Sequence, residues 1–119
     1  MTRSINLYKI YKNDINRFVQ NACSKIGTHI DYTPFVISLL DDFFSKFDHD
    51  FVIVDNFVFY TEVAIVAAIW MIDKYIEDDH MHLYDLSKLT IRRIKDKSII
   101  SAEADIFSVC KNMKQYIPY

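Results

Sequence analysis

Residues 63–72 read Val-Ala-Ile-Val-Ala-Ala-Ile-Trp-Met-Ile, ten positions without a charge. Around this run Phe57, Tyr60, Ala64, Ala68, Met71 and Tyr75 keep helical spacing, which predicts one helix over about 56–77. A helix apolar on nearly every side offers no face to water and must be enclosed by other elements. The run is about half of what a bilayer-spanning helix needs, so protein rather than lipid is expected to enclose it. No membrane partner is expected, and the N-terminus shows no basic start followed by an apolar block of the kind that directs secretion.

The enclosing elements can be read in turn. Ile15, Phe18, Val19, Ala22 and Ile26 share one face of a helix over 13–26, with Gly27, the only glycine, placed to end it. Before it, Ile5, Tyr8 and Tyr11 recur at threefold spacing, so residues 1–12 read as an arm or short helix ahead of a domain over 13–119. Thr33 followed by Pro34 predicts a helix start, the threonine oxygen capping and the proline giving up no bond. The stripe Val36, Leu39, Leu40, Phe43 and Phe47 follows. Scarce glycine and only two prolines argue against a sheet built on tight turns.

Residues 51–60 leave two alternatives. Two β-prone runs flank a potential Asp55-Asn56 turn, which would make a hairpin; otherwise an extended connection ends at Asp55 as the cap of the central helix, the reading the downstream spacing supports. A polar loop over 78–82 then leads to a short helix over 84–90, with Asp85 as a cap, and a basic connection over 91–97. Ser98 is expected to cap a last long helix burying Ile99, Ala102, Ile106, Val109 or Cys110, and Met113, and Pro118 cannot continue it. The fold class is all-α, one domain of five helices with a buried third.

Composition excludes several function classes. A net charge of −2 supplies no footprint for nucleic acid. No glycine-rich phosphate loop, nucleophile–base pair or evident carboxylate pair is present, so no enzymatic activity, cofactor or small-molecule ligand is expected. Asp78, Asp79, His80 and His82 crowd one loop, but four ligands from five consecutive residues make poor metal geometry, and a solvated helix end explains them better. Cys23 and Cys110 both fall on apolar stripes and read as reduced core thiols in an intracellular protein, nuclear or cytoplasmic, with one disulfide between them as the alternative.

Three ordered segments carry a resemblance. Val66-Ala67-Ala68-Ile69-Trp70-Met71-Ile72-Asp73-Lys74-Tyr75-Ile76-Glu77-Asp78 resembles the third-helix signature of the cyclin box, with small residues before an apolar pair and a Lys-aromatic-x-Glu-Asp ending. Leu39-Leu40-Asp41-Asp42-Phe43-Phe44-Ser45 is similar to the second-helix pattern, and Ala102-Glu103-Ala104-Asp105-Ile106-Phe107 to the fifth-helix motif. The likeness covers about residues 11–118, and the segments at Thr33-Pro34 and Phe51-Val52-Ile53-Val54-Asp55-Asn56 look most like P-type cyclins, the phosphate-response group. Departures are Asp42 where the family commonly has Arg, a first helix without the usual Met-Arg start, and a single box.

The resemblance implies a five-helix cyclin box that binds and activates a cyclin-dependent protein kinase through its third and fifth helices. Lys74 and Glu103 would hold the kinase, with Met71, Tyr75 and Phe107 as apolar contacts on the same face. It also implies an ion pair between Asp41 and Lys12; Asp41, on a helix packed by Leu39, Leu40 and Phe43, reads as partly buried, with a plain exposed acid next to Asp42 as the alternative. The residues alone allow a plainer reading, in which Lys74 and Glu103 satisfy their own helix ends or pair with neighbours such as Asp78. A cyclin-fold or other helical adaptor in transcription or protein–protein interaction, with no kinase partner, is the competing expectation.

Overall fold

The central helix is present and longer than its apolar run: α4 spans Val54–Ile76, and from Val63 to Asp73 only Trp70 is not fully buried. In the computed structural model the described residues are 2–26, 30–47, 49–51, 53–77, 82–86, 89 and 94–117. By length and composition α4 would qualify as a membrane span, but 61% of that stretch is buried inside the molecule. Here α3 (Thr33–Lys46) and α6 (Asp96–Val109) make its most extensive packing, and α2 (Lys12–Ile26) and α5 (Leu83–Leu86) complete the five helices. The result is an all-α globule around a buried helix.

The N-terminal arm is a true helix. α1 (Ser4–Ile10) runs into α2 with a joint at Tyr11, whose N–H bonds to Leu7 O at 3.0 Å while its own carbonyl accepts from Ile15 N at 2.9 Å. Leu7 and Tyr8 belong to the core, and the Tyr8 ring stacks on Phe44 with centroids 4.5 Å apart. Ahead of α1, β1 (Thr2–Arg3) pairs antiparallel with β2 (Asp50–Phe51), Thr2 opposite Phe51. Ser4 seals this corner: it is buried, its N–H reaches His49 O at 2.9 Å, and its hydroxyl donates to Phe47 O at 3.0 Å.

Residues 51–60 therefore form no hairpin among the described residues. Phe51 pairs with the N-terminus, and its ring packs edge-on to Phe57 with centroids 5.5 Å apart. Asp55 is not the cap of α4; the extended Ile53 occupies that place, and Asp55 lies in the first turn, where its charge faces the helix N-terminus. The start of α3 is likewise capped from further back. Asp31, not Thr33, supplies the oxygen, accepting from Thr33 N–H at 3.0 Å, and hydrogen bonding to Thr33, through its side chain first and its backbone second, holds the Asp31 carboxyl below its ordinary pKa.

α6 begins before Ser98, whose N–H already bonds to Lys95 O at 3.0 Å. Ile94 and Ile99 occupy the two positions that staple a helix entry, and both are buried, so burial rather than a hydroxyl sets the start. The helix also stops earlier than its stripe suggests. After Cys110 the chain turns into a short 3-10 helix, Met113–Tyr116, because Asn112 Oδ1 accepts from Lys114 N–H at 3.2 Å and offers the backbone a competing turn. Asp85 sits within α5 rather than capping it, since its N–H bonds to His82 O at 3.1 Å. Gly27, Pro118 and residues 78–81 and 91–93 lie outside the described residues.

The aromatic surplus packs largely as core: Phe43, Phe44 and Phe57 are buried and Tyr60 half-buried, whereas Phe59 reaches the surface. Cys23 and Cys110 are both buried free thiols, which removes the disulfide alternative.

Candidate functional site

α4 and α6 pack against each other, and Ala64, Ala67 and Ala68 on α4 and Ala102 on α6 are all buried. Where the two helices reach the molecular surface, Lys74 in the last turn of α4 meets Glu103 of α6. The ammonium Nζ donates to Glu103 Oε2, and both side chains keep about a quarter to a third of their surface in water, 25% for Glu103 and 32% for Lys74. Lys74 Nζ also lies 3.6 Å from the ring centroid of Trp70, one turn back along α4. This cation–π contact makes Trp70 the platform that aims the lysine. The Trp-x-x-x-Lys spacing, one helical turn, is the sequence signal for that role.

One expected feature of Glu103 does not hold. Because α6 starts at Asp96, Glu103 lies well beyond the first turn, out of range of the partial charge at the helix N-terminus. Lys74 compensates its charge instead. Asp73, next to Lys74, turns inward: it is buried and accepts a 2.8 Å hydrogen bond from the Tyr32 hydroxyl.

Beside the ion pair is a cavity of about 400 Å³ lined by Met71, Lys74, Glu103, Ala104, Phe107 and Met113. Met71 is buried, while Phe107 is 53% exposed at the rim. Four of the five site residues drawn from the sequence thus converge. Tyr75 is 45% exposed but does not line the cavity. Met113 joins from the 3-10 helix rather than from the last long helix on whose stripe it was expected.

The pair expected between Lys12 and Asp41 is present, with a third member. Lys12 Nζ donates to Asp41 Oδ1, and the Tyr8 hydroxyl donates to the same oxygen at 2.6 Å. Asp41 is exposed, as the alternative reading had it, even though it is paired. Burial and this carboxylate push the Tyr8 phenol pKa well up. Asp42 gathers a different group, Tyr116, Cys110 and Lys46.

Two further concavities flank α4. One, of about 250 Å³, lies between α2 and α4 and is largely apolar, lined by Tyr11, Ile15, Phe18, Phe57 and Ile65 among others. In the other, near Lys97 and Ser98, the Tyr60 hydroxyl donates to Asp105 Oδ2 at 2.9 Å. Among the described residues no three His, Cys, Asp or Glu side chains group as metal ligands; His82 is exposed, and Asp78, Asp79 and His80 lie outside those residues.

The chain matches no protein-family model, no curated protein and no solved structure. The class it defines rests on its own residues: an all-α domain in which the short α1 precedes five further helices and the long α4 is enclosed by the others.

Proposed function

We propose that the chain is a cyclin-like regulatory subunit that binds and activates a cyclin-dependent protein kinase through α4 and α6. The observation that carries this reading is the convergence of Lys74 and Glu103 beside an open apolar cavity edged by Met71 and Phe107. The pair leaves two ammonium hydrogens and one carboxylate oxygen for backbone groups of a partner. Exposed Phe107 and Tyr75 add apolar surface around that polar centre, the arrangement in which interface energy concentrates. A partner that makes these contacts only in its active conformation would be shifted toward it. The charge balance and the resemblance of the three motifs point the same way.

Charge exchange separates a partner contact from a structural pair. Lys74→Glu and Glu103→Lys should each lower affinity for purified cyclin-dependent kinases by about 2–5 kcal/mol, roughly 30-fold to several-thousand-fold, and abolish activation of a peptide-substrate assay. The double exchange Lys74→Glu/Glu103→Lys restores the intramolecular pair and should restore thermal stability but not kinase binding. Recovery of both would assign the pair to the fold alone. The competing reading, a helical adaptor without a kinase, draws on the apolar groove between α2 and α4, and the same assay decides against it if the wild-type chain activates a kinase.

A further inference from the structure

After α6 ends, residues 110–117 fold back over the bundle, and one carboxylate oxygen holds them at both ends. Asp42 Oδ2, on α3, accepts from the Tyr116 hydroxyl, from Lys46 Nζ at 3.0 Å and from the Cys110 thiol at 3.7 Å. Gln115 Nε2 donates to the Tyr116 oxygen at 3.1 Å, giving that oxygen a donor as well as an acceptor. Cys110, Tyr116 and Ile117 are buried, whereas Lys111, Asn112, Lys114 and Gln115 are exposed. Of the residues between the two anchors only Met113 turns inward, and it lines the cavity beside Lys74 and Glu103. The turn has no ladder of its own beyond one 3-10 helix of four residues, so its position depends on the anchors.

We propose that Asp42 latches this C-terminal turn and so presents Met113 to the α4–α6 cavity, which makes Asp42 a positioning residue for whatever that cavity receives. The inference rests on the reading that the cavity is the partner site. Its logic is geometric. Cys110 precedes Met113 by three residues and Tyr116 follows it by three, so a single acceptor bound to both fixes the segment between them. Releasing either end leaves a wall of the cavity free to move.

Labelling with ε-13C-methionine makes four methyl groups visible, Met71 and Met113 among them. Tyr116→Phe removes one oxygen and keeps the ring; Asp42→Asn keeps the shape and removes the charge. Each is expected to move the Met113 and Met71 resonances together and to speed amide exchange over 111–117 by about tenfold, the scale of one partly exposed charge-assisted hydrogen bond. Affinity for the purified kinase should fall by about 3–10-fold, and that loss should vanish in a Met113→Ala background, where no presented side chain remains. Unmoved methyl resonances would overturn the latch whatever a kinase does. Shifted resonances with unchanged kinase affinity would overturn the positioning role. A wild-type chain that binds no kinase while the methyl groups respond would remove the kinase reading and leave the latch standing.

Discussion

Asp73 sits inside an apolar bundle at 1% exposure, and the Tyr32 hydroxyl that donates to it is buried with it. A polar group there is tolerated only where hydrogen-bond partners replace water. Tyr32→Phe should therefore destabilise the fold by about 1–3 kcal/mol, read as a lower urea midpoint at unchanged slope. The thiols report on burial by their chemistry. Burial pushes the Cys23 thiol up to about 11 and raises that of Cys110 as well. Because only the thiolate reacts, iodoacetamide at pH 8 should alkylate Cys23 at least about a hundredfold more slowly than a small free thiol. The Asp42 carboxyl is held low by its Tyr116 hydrogen bond first and by Lys46 and Cys110 after it. A depressed carboxylate stabilises the fold above its unfolded pKa and loses that contribution as pH falls through the folded value. Exchange protection of the C-terminal turn should hold from neutral pH down to about 4 and fall below it, measured by hydrogen exchange at matched intrinsic rates.

Among the elements, α4 is the one on which the others depend. Ala67 and Ala68 are fully enclosed, so Ala67→Leu or Ala68→Leu should destabilise by about 1–3 kcal/mol through overpacking. Ile69→Ala, at the fully buried centre of the helix, should cost about 2–5 kcal/mol; thermal melts of the three variants test both. This helix was legible in the sequence because its pattern is long and continuous. The arm was less so, since α1 has seven residues and no side-chain cap, and what makes it a helix is Tyr8 against Phe44 and Asp41, far along the chain. β1 could not be read at all: two residues become a strand only because Phe51 and Asp50 lie opposite. The break after Cys110 has a local signal in Asn112, but where the turn lies is secured by Tyr116 on Asp42, 74 positions away. At the candidate site the motif resemblance brought Lys74, Glu103, Met71 and Phe107 together, but the plainer reading gave Glu103 a helix-end role that its place in mid-helix denies, and Met113 could be placed only once the turn was seen.

At the scale of the whole molecule, the radius of gyration of 13.3 Å is close to the ~13.5 Å expected of a compact domain this long. Since Leu7 and Tyr8 share one core with α3 and α4, Trp70 fluorescence and far-ultraviolet circular dichroism should report a single coincident unfolding transition. Separate midpoints would mean that α1 comes away on its own. The corner sealed by Ser4 has a consequence for how the chain is made. Ser4 bonds to Phe47 and His49, and Thr2 pairs with Phe51, so during synthesis this corner cannot close until residue 51 has followed Thr2. At about 5–20 residues per second that wait is roughly 2–10 s. During it this corner stays open to chaperones or to neighbouring nascent chains.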